Sequence, residues 1–134
     1  MRSSQIRDVQ LATTSCTIPA GKQYSYPILV SVPNTVLSWS FYSSYYEIDF
    51  AVQRELEDEN TEVIVEKETF SSDTTYQGKI LVNECGTYNL IWDNSRAWIR
   101  ERNVVFSVSL KIPQLPTSMR NRCSSCAVTA FSYP

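Results

Sequence analysis

Residues 36–54 read VLSWSFYSSYYEIDFAVQR, and this stretch decides the fold. Trp39 and Phe41 are two positions apart, so a pleated strand places both rings on the same face. After a Ser/Tyr turn, Phe50 and Val52 continue the same alternation. The stretch therefore predicts two neighbouring strands that bury aromatic side chains on one face.

The same period-two pattern recurs along the chain. The alternating positions are Tyr24, Tyr26, Ile28, Val30 and Val32 in residues 22–32, Tyr88, Leu90 and Trp92 in residues 87–93, and Val104, Phe106, Val108, Leu110 and Ile112 in residues 104–112. Shorter strands are expected through Val63 and Val65, through Ile80 and Val82, and from Asp8 to Cys16. About seven or eight short strands without helical spacing predict an all-β, antiparallel β-sandwich of the jelly-roll type.

The length of 134 residues suits one domain. The alternation stops after Pro113, and the remaining residues are rich in turn formers. We therefore expect a sandwich in residues 1–113 and a weakly ordered tail in residues 114–134.

Composition narrows the classes of function. The net charge of −2 argues against general nucleic-acid binding, which uses a strongly basic surface. No apolar run is long enough for a signal peptide or a transmembrane helix. Without a signal peptide we expect a cytoplasmic chain whose four cysteines are reduced thiols.

No catalytic or metal-binding constellation stands out, so we expect a protein that is not an enzyme and needs no cofactor. The chain has no histidine, the commonest general base and metal ligand. Acidic side chains cluster in residues 53–62, QRELEDENTE, and this pattern predicts a solvated hairpin tip rather than a pair of catalytic acids. Cys123 and Cys126 form a single CxxC, whereas zinc needs four ligands. We predict no metal site, and a short disulfide within the tail, formed under oxidising conditions, is the better explanation of this motif.

Two local patterns predict structural turns. Asp93, Asn94 and Ser95 favour a turn, because their side chains bond nearby backbone. Tyr88 follows Gly86 by two positions at the start of a strand, which predicts a tyrosine corner with its hydroxyl bonded to nearby backbone.

Three segments resemble the GOLD (Golgi dynamics) domain. These segments are VLSWSF in residues 36–41, IDFAV in residues 48–52 and CGTYNLIWDNS in residues 85–95. They resemble the family's leucine-x-tryptophan-x-phenylalanine strand, the strand after it, and its glycine-x-tyrosine strand leading into an aspartate-asparagine-serine turn. The resemblance spans roughly residues 10–113. It is strongest to the soluble members in CRAL-TRIO lipid-transfer proteins, a Golgi acyl-CoA-binding protein and a FYVE/coiled-coil autophagy adaptor.

This resemblance implies a non-enzymatic protein-interaction domain, an adaptor in membrane trafficking or lipid handling. It implies a cytoplasmic protein that is peripheral on Golgi or endosomal membranes. The chain departs from the family pattern after the turn, where Arg96 and Ala97 replace an aromatic residue and a serine.

The loop after that turn is the predicted binding site. Arg96, Trp98, Arg100 and Arg102 place three guanidinium groups around an indole, and Arg and Trp are enriched at interaction hot spots. At about 1 kcal/mol per basic residue, an anionic membrane would be a weak auxiliary contact. We therefore expect a protein partner. The competing interpretation packs Trp98 and Ile99 into the sandwich edge, with the arginines covering them.

An alternative function is a jelly-roll module that binds a small apolar ligand or a glycan. Tyr42, Tyr45 and Tyr46 are clustered in one predicted turn. Such polar-tipped aromatic residues stack on sugars or line pockets.

Overall fold

The computed structural model describes residues 6–114, and these residues form eight strands. The strands are β1 (Ile6–Ile18), β2 (Gln23–Val30), β3 (Thr35–Ser44), β4 (Ile48–Glu55), β5 (Thr61–Phe70), β6 (Thr75–Val82), β7 (Gly86–Asp93) and β8 (Arg102–Pro113). A single 3-10 turn, Glu57–Glu59, interrupts the β4–β5 connection. No helix in this part of the chain is long and apolar enough to cross a bilayer. The predicted tail lies outside the described residues from position 115 onward.

The strands form two four-stranded antiparallel sheets. One sheet has the order β1-β8-β3-β6, and the other has the order β2-β7-β4-β5. Among the described strands, only β4 and β5 are both consecutive and paired, so the chain crosses between the sheets at nearly every turn. This order is that of a jelly roll. The predicted all-β sandwich with seven or eight strands is confirmed.

Aromatic rings fill the space between the sheets. Trp39 and Phe41 are buried on β3, as predicted, and Phe41 lies 4.7 Å from Phe50 between ring centroids. Trp92 of β7 stacks on Phe106 of β8 at 4.6 Å. These rings link β3 and β8 of one sheet to β4 and β7 of the other. Together they occupy the centre of the core.

Strand β4 is buried on both faces, which the alternation did not predict. Every residue from Ile48 to Val52 is buried, including Asp49 on the outer face at 6% exposure. The strand lies between β5 and β7, and side chains from the β5 strand and the β7–β8 loop cover its outer face. This cover distinguishes β4 from β3, which is also a central strand but keeps an alternating, half-buried outer face.

Gly78 on β6 makes room for Trp39. The two residues are register partners, so their side-chain positions share one face of the sheet. A methyl group built on Gly78 would lie 2.6 Å from two carbon atoms of the indole ring. The absence of a side chain at position 78 therefore lets the large ring lie flat over β6.

The predicted tyrosine corner is confirmed. The Tyr88 hydroxyl donates to the backbone carbonyl of Glu84, four residues upstream. Next to this corner, Cys85 is buried and disulfide-bonded, so the expectation of reduced thiols is wrong at this position. Cys16 on β1 is free, and burial raises the pKa of its thiol to about 11. Cys123 and Cys126 lie outside the described residues.

Candidate functional site

The predicted binding loop joins β7 to β8 at one end of the sandwich, and Asn94 fixes its base. The buried Asn94 side-chain amide lies within hydrogen-bond distance of three backbone carbonyls, those of Ile18, Pro19 and Arg100, at 3.0–3.2 Å. Its backbone N–H donates to Lys22, and its carbonyl accepts from Gly21. Asn94 therefore joins the β7–β8 loop to the β1–β2 turn.

A short turn begins the loop. The Asp93 carboxylate accepts a hydrogen bond from the backbone N–H of Ser95 at 2.7 Å, which is an Asx turn. The predicted turn is confirmed, although the Asn94 side chain bonds three backbone carbonyls outside the turn rather than the backbone of the turn itself. The second Asp93 oxygen accepts from the Lys67 ammonium of β5 at 2.9 Å. Burial works toward a higher pKa of the Asp93 carboxyl, but the hydrogen bonds from Ser95 and Lys67 outweigh it and leave the pKa lowered.

Arg96 turns back onto the sheet rather than outward. Its guanidinium donates to both oxygens of the buried Asp49 carboxylate at 2.9 and 3.0 Å, a bidentate pair. Thr69 of β5 donates to the same carboxylate at 2.6 Å. Burial works toward a higher pKa of the Asp49 carboxyl, but the bonds from Arg96 and Thr69 outweigh it and leave the pKa lowered. Arg96 thus ties the loop to β4.

The other two arginines of the predicted site pack against Tyr46. The guanidinium carbons of Arg102 and Arg100 lie 4.9 and 5.4 Å from the centre of its ring, in cation–π geometry. Arg102 also donates to the backbone carbonyls of Glu47 and Arg100. Within residues 6–114, the Arg100 guanidinium makes no hydrogen bond or salt bridge. Arg102 is therefore an internal support, and Arg100 is the cation open to a ligand.

Trp98 and Ile99 project from the end of this supported loop. Trp98 is 93% exposed and Ile99 is 86% exposed. The interpretation that they pack into the sandwich edge is therefore wrong. Exposed apolar side chains that stand side by side, on a loop fixed at its base, are typical of an interaction surface.

A groove of about 540 Å³ lies beside Ile99. Its lining includes Tyr45 and Tyr46 from the β3–β4 turn and Arg100 from the loop. Tyr45 is 79% exposed and has a left-handed backbone with φ of 70°. Asp73 holds that turn by accepting from the Tyr45 backbone N–H at 3.2 Å. We call Tyr45, Tyr46, Trp98, Ile99 and Arg100 the end surface.

The end surface presents aromatic, apolar and cationic side chains. The residues that the structure describes contain no group of three or more side chains able to hold a metal ion. The two buried carboxylates beside the loop, Asp49 and Asp93, are each engaged by a cation. The aromatic, apolar and cationic side chains of the end surface can bind a partner through burial of apolar surface and through cation–π contacts.

Sequence reasoning found the loop but missed the network that holds it. Asp49 and Asp93 are register partners on the outer face of their sheet. A signal was present, since each aspartate follows or precedes a core aromatic residue and so points outward. Recognising their proximity required knowing that β4 pairs with β7, which are far apart in sequence.

No known protein-family model matches the chain. Solved structures with a similar fold include a protein of the disulfide-linked pili that form Bacillus endospore appendages, at 8% identity, with a TM-score of 0.57 over 83% of this chain and 90% of that one. The Yersinia pseudotuberculosis-derived mitogen aligns with a TM-score of 0.50 at 10% identity, over 78% and 87% of the two chains. The tobacco streak virus coat protein aligns with a TM-score of 0.50 at 11% identity, over 87% and 93%.

These neighbours share the fold and little sequence. The three neighbours are a pilus protein, a mitogen and a viral coat protein, which have different roles. The structural similarity therefore supports the jelly-roll fold and indicates no function. The resemblance to the GOLD domain stays a prediction from sequence.

Proposed function

We propose that this chain is a non-enzymatic protein-interaction domain and that the end surface is its contact site. In keeping with the GOLD resemblance, we propose that it acts as an adaptor in membrane trafficking or lipid handling at Golgi or endosomal membranes. The observation that supports the proposal best is the nearly complete exposure of Trp98 at the end of an anchored loop.

The energy available at this surface suits a hot spot. An aromatic side chain of this kind buries about 150–250 Å² in a partner, which corresponds to about 4–6 kcal/mol at 25 cal/mol per Å². The loop is fixed by Asn94 and Arg96, so little conformational entropy is lost when it binds. Pre-organisation of an exposed aromatic residue is a feature of tight protein contacts.

The charges favour a protein over an anionic membrane. Of the three arginines in the loop, Arg96 is neutralised by Asp49, and Arg102 is bonded to backbone carbonyls. Arg100 is the remaining open cation. At about 1 kcal/mol per basic residue near an anionic surface, this gives weak attraction to lipid headgroups.

The proposal is tested by site-specific photo-cross-linking in cell lysate. A photo-reactive side chain at position 45 should capture proteins that Trp98→Ala and Arg100→Glu lose. Matched controls are Leu81→Ala, an apolar residue with 59% exposure on β6, and Lys79→Glu, an exposed cation on the same strand. Both controls should retain the captured proteins.

Two outcomes would overturn this assignment. One is capture of the same proteins by all four variants. The other is co-sedimentation of the purified wild type with phosphatidylcholine–phosphatidylserine vesicles, lost in Trp98→Ala, without any captured protein. That second result would make the end surface a membrane contact.

A ligand-binding jelly roll is the second candidate, and the groove beside Tyr45 and Tyr46 favours it over a site between the sheets. The central space between the sheets is filled by the rings of Phe41, Phe50 and Trp92. In this second candidate function, a sugar ring stacks on the exposed ring of Tyr45. At 100 times its dissociation constant such a ligand adds roughly 2.7 kcal/mol of stability, which a thermal-shift screen against soluble glycans detects.

A further inference from the structure

The end of the sandwich opposite the end surface contains an apolar groove of about 410 Å³. It opens where β1 begins and where β2 and β8 end. Its apolar lining consists of Val9, Leu29, Val30, Val32, Leu110 and Ile112. A groove with this lining gains stability when an apolar segment covers it.

The chain leaves the sandwich at the rim of this groove. Ile112 of β8 lines it, and the described chain ends two residues later at Gln114. Twenty further residues follow. They read LPTSMRNRCSSCAVTAFSYP, so a mostly polar stretch precedes the apolar residues 127–131. Phe131 lies seventeen positions after Gln114, and a chain of that length spans up to about 55 Å when extended, which is ample for a return to the groove.

A buried cysteine lies next to the same groove. Gly86 is the register partner of Val30, which lines the groove, and Cys85 directly precedes Gly86. Cys85 is 9% exposed and disulfide-bonded. The other cysteine in residues 6–114, Cys16, is free. The cysteine that is bonded to Cys85 therefore places the residues next to it in sequence at the rim of the groove.

We propose that the carboxyl-terminal segment folds back over this groove, with residues 127–131 as its occupant and the CxxC motif of Cys123 and Cys126 supplying the sulfur bonded to Cys85. The CxxC lies directly before the apolar residues, so the bond to Cys85 sets Val128 and Phe131 against the groove. The disulfide closes a loop of about 40 residues, which restricts the unfolded chain and stabilises the fold.

The disulfide forms by thiol–disulfide exchange with a small-molecule disulfide such as oxidised glutathione. The thiol of Cys85 and one thiol of the CxxC lose two protons and two electrons, and a sulfur–sulfur bond forms between them. The small-molecule disulfide is reduced to two thiols, which take up those protons and electrons.

The covalent part is tested by disulfide mapping of the 134-residue chain without prior reduction. After free thiols are alkylated, trypsin releases Cys85 within residues 80–96 and both tail cysteines within residues 123–134. We expect these two peptides to be joined. An alkylated Cys85, or two copies of residues 80–96 joined to each other, would overturn the proposal.

The docking part is tested by a double-mutant cycle on the oxidised 134-residue chain. Phe131→Ser and Leu29→Ser should each lower the melting temperature by about 4 °C or more, and together by clearly less than the sum. Leu115→Ser, an apolar tail residue before the CxxC, is the matched control and should change it by about 1 °C or less. If Leu29→Ser prevents folding, Val32→Ser replaces it. If the groove and tail substitutions lower the melting temperature by strictly additive amounts, the proposed docking is wrong.

Discussion

Asp49 of β4 and Asp93 of β7 are register partners, so two carboxylates face each other on the outer surface of one sheet. Both are buried, which alone would be costly for charged groups of like sign. Arg96 pairs with Asp49 at 2.9 Å, and Lys67 pairs with Asp93 at 2.9 Å. The result is a pair of adjacent ion pairs that connects the β7–β8 loop to β4 and β5.

This cluster predicts an acid-sensitive fold. The pKa values of Asp49 and Asp93 are lowered in the folded protein, so the unfolded chain binds protons more readily. Stability from these groups is present above the unfolded pKa of about 3.9 and is lost as the pH falls through the lower folded values. Urea unfolding from pH 6 to pH 2.5 should show a decline below about pH 4.

Asp49→Asn separates this effect from general acid denaturation. The variant cannot ionise at position 49, so its stability should fall less steeply over the same pH window. Amide exchange in the loop that carries Trp98 should quicken at neutral pH, because Arg96 loses its bidentate partner. Identical pH slopes in the variant and the wild type would contradict the role given to Asp49.

Asn94→Ala should destabilise the protein by roughly 2–4 kcal/mol. The change leaves the buried Ile18 carbonyl and the part-buried Arg100 carbonyl without their donor, and an unsatisfied buried group costs about 1–3 kcal/mol. Urea denaturation measures the change in unfolding free energy. Asn103→Ala, an exposed amide at the same end, is the control and should cost less than about 0.5 kcal/mol. Equal effects of the two substitutions would remove the special role of Asn94.

Gly78→Ala should cost about 1–3 kcal/mol through overpacking against the Trp39 ring. The neighbouring Gln77→Ala, on an exposed side chain of β6, should be close to neutral. In a Trp39→Phe background the penalty of Gly78→Ala should shrink, because the smaller ring vacates the space above Gly78. A penalty that is unchanged in this background would show that the indole is not the cause.

Tyr88→Phe should cost about 0.5–1.5 kcal/mol, since only the hydrogen bond to the Glu84 carbonyl is lost. Tyr26→Phe is the matched control, because within the described chain the Tyr26 hydroxyl makes no hydrogen bond and its ring packs 5.5 Å from Phe106. The melting temperatures of the two variants should differ by several degrees. No difference would show that the corner contributes nothing to stability.

Much of the fold follows from local pattern. The alternation around Trp39 and Phe41 gave the strand and its buried face, because side chains of a strand point to opposite faces in turn. The same rule was wrong for Asp49 and Ala51, which alternation left exposed. Their burial depends on which strands flank β4, and strand order is a long-range property that period-two spacing does not contain.

The candidate site shows the same division. The arginines around a tryptophan indicated a binding site in residues 96–102. The sequence pattern contained nothing that distinguished the three arginines from one another. In the structure, Arg96 and Arg102 are internal supports and Arg100 is open. The difference arises from Asp49 and the Glu47 carbonyl, which lie about 50 residues away in sequence. Asn94 is a similar case, since its side chain bonds carbonyls 75 and 76 residues upstream.

The unequal placement of the three tryptophans has a practical consequence. Trp39 and Trp92 are enclosed by the core, whereas Trp98 stands in water. Its fluorescence should therefore emit at longer wavelength than theirs and be preferentially quenched by iodide, an anion that the adjacent Arg100 attracts. The fluorescence of Trp98 is thus an intrinsic reporter of this loop. Binding of a partner to the loop can be followed through this fluorescence without attaching a dye.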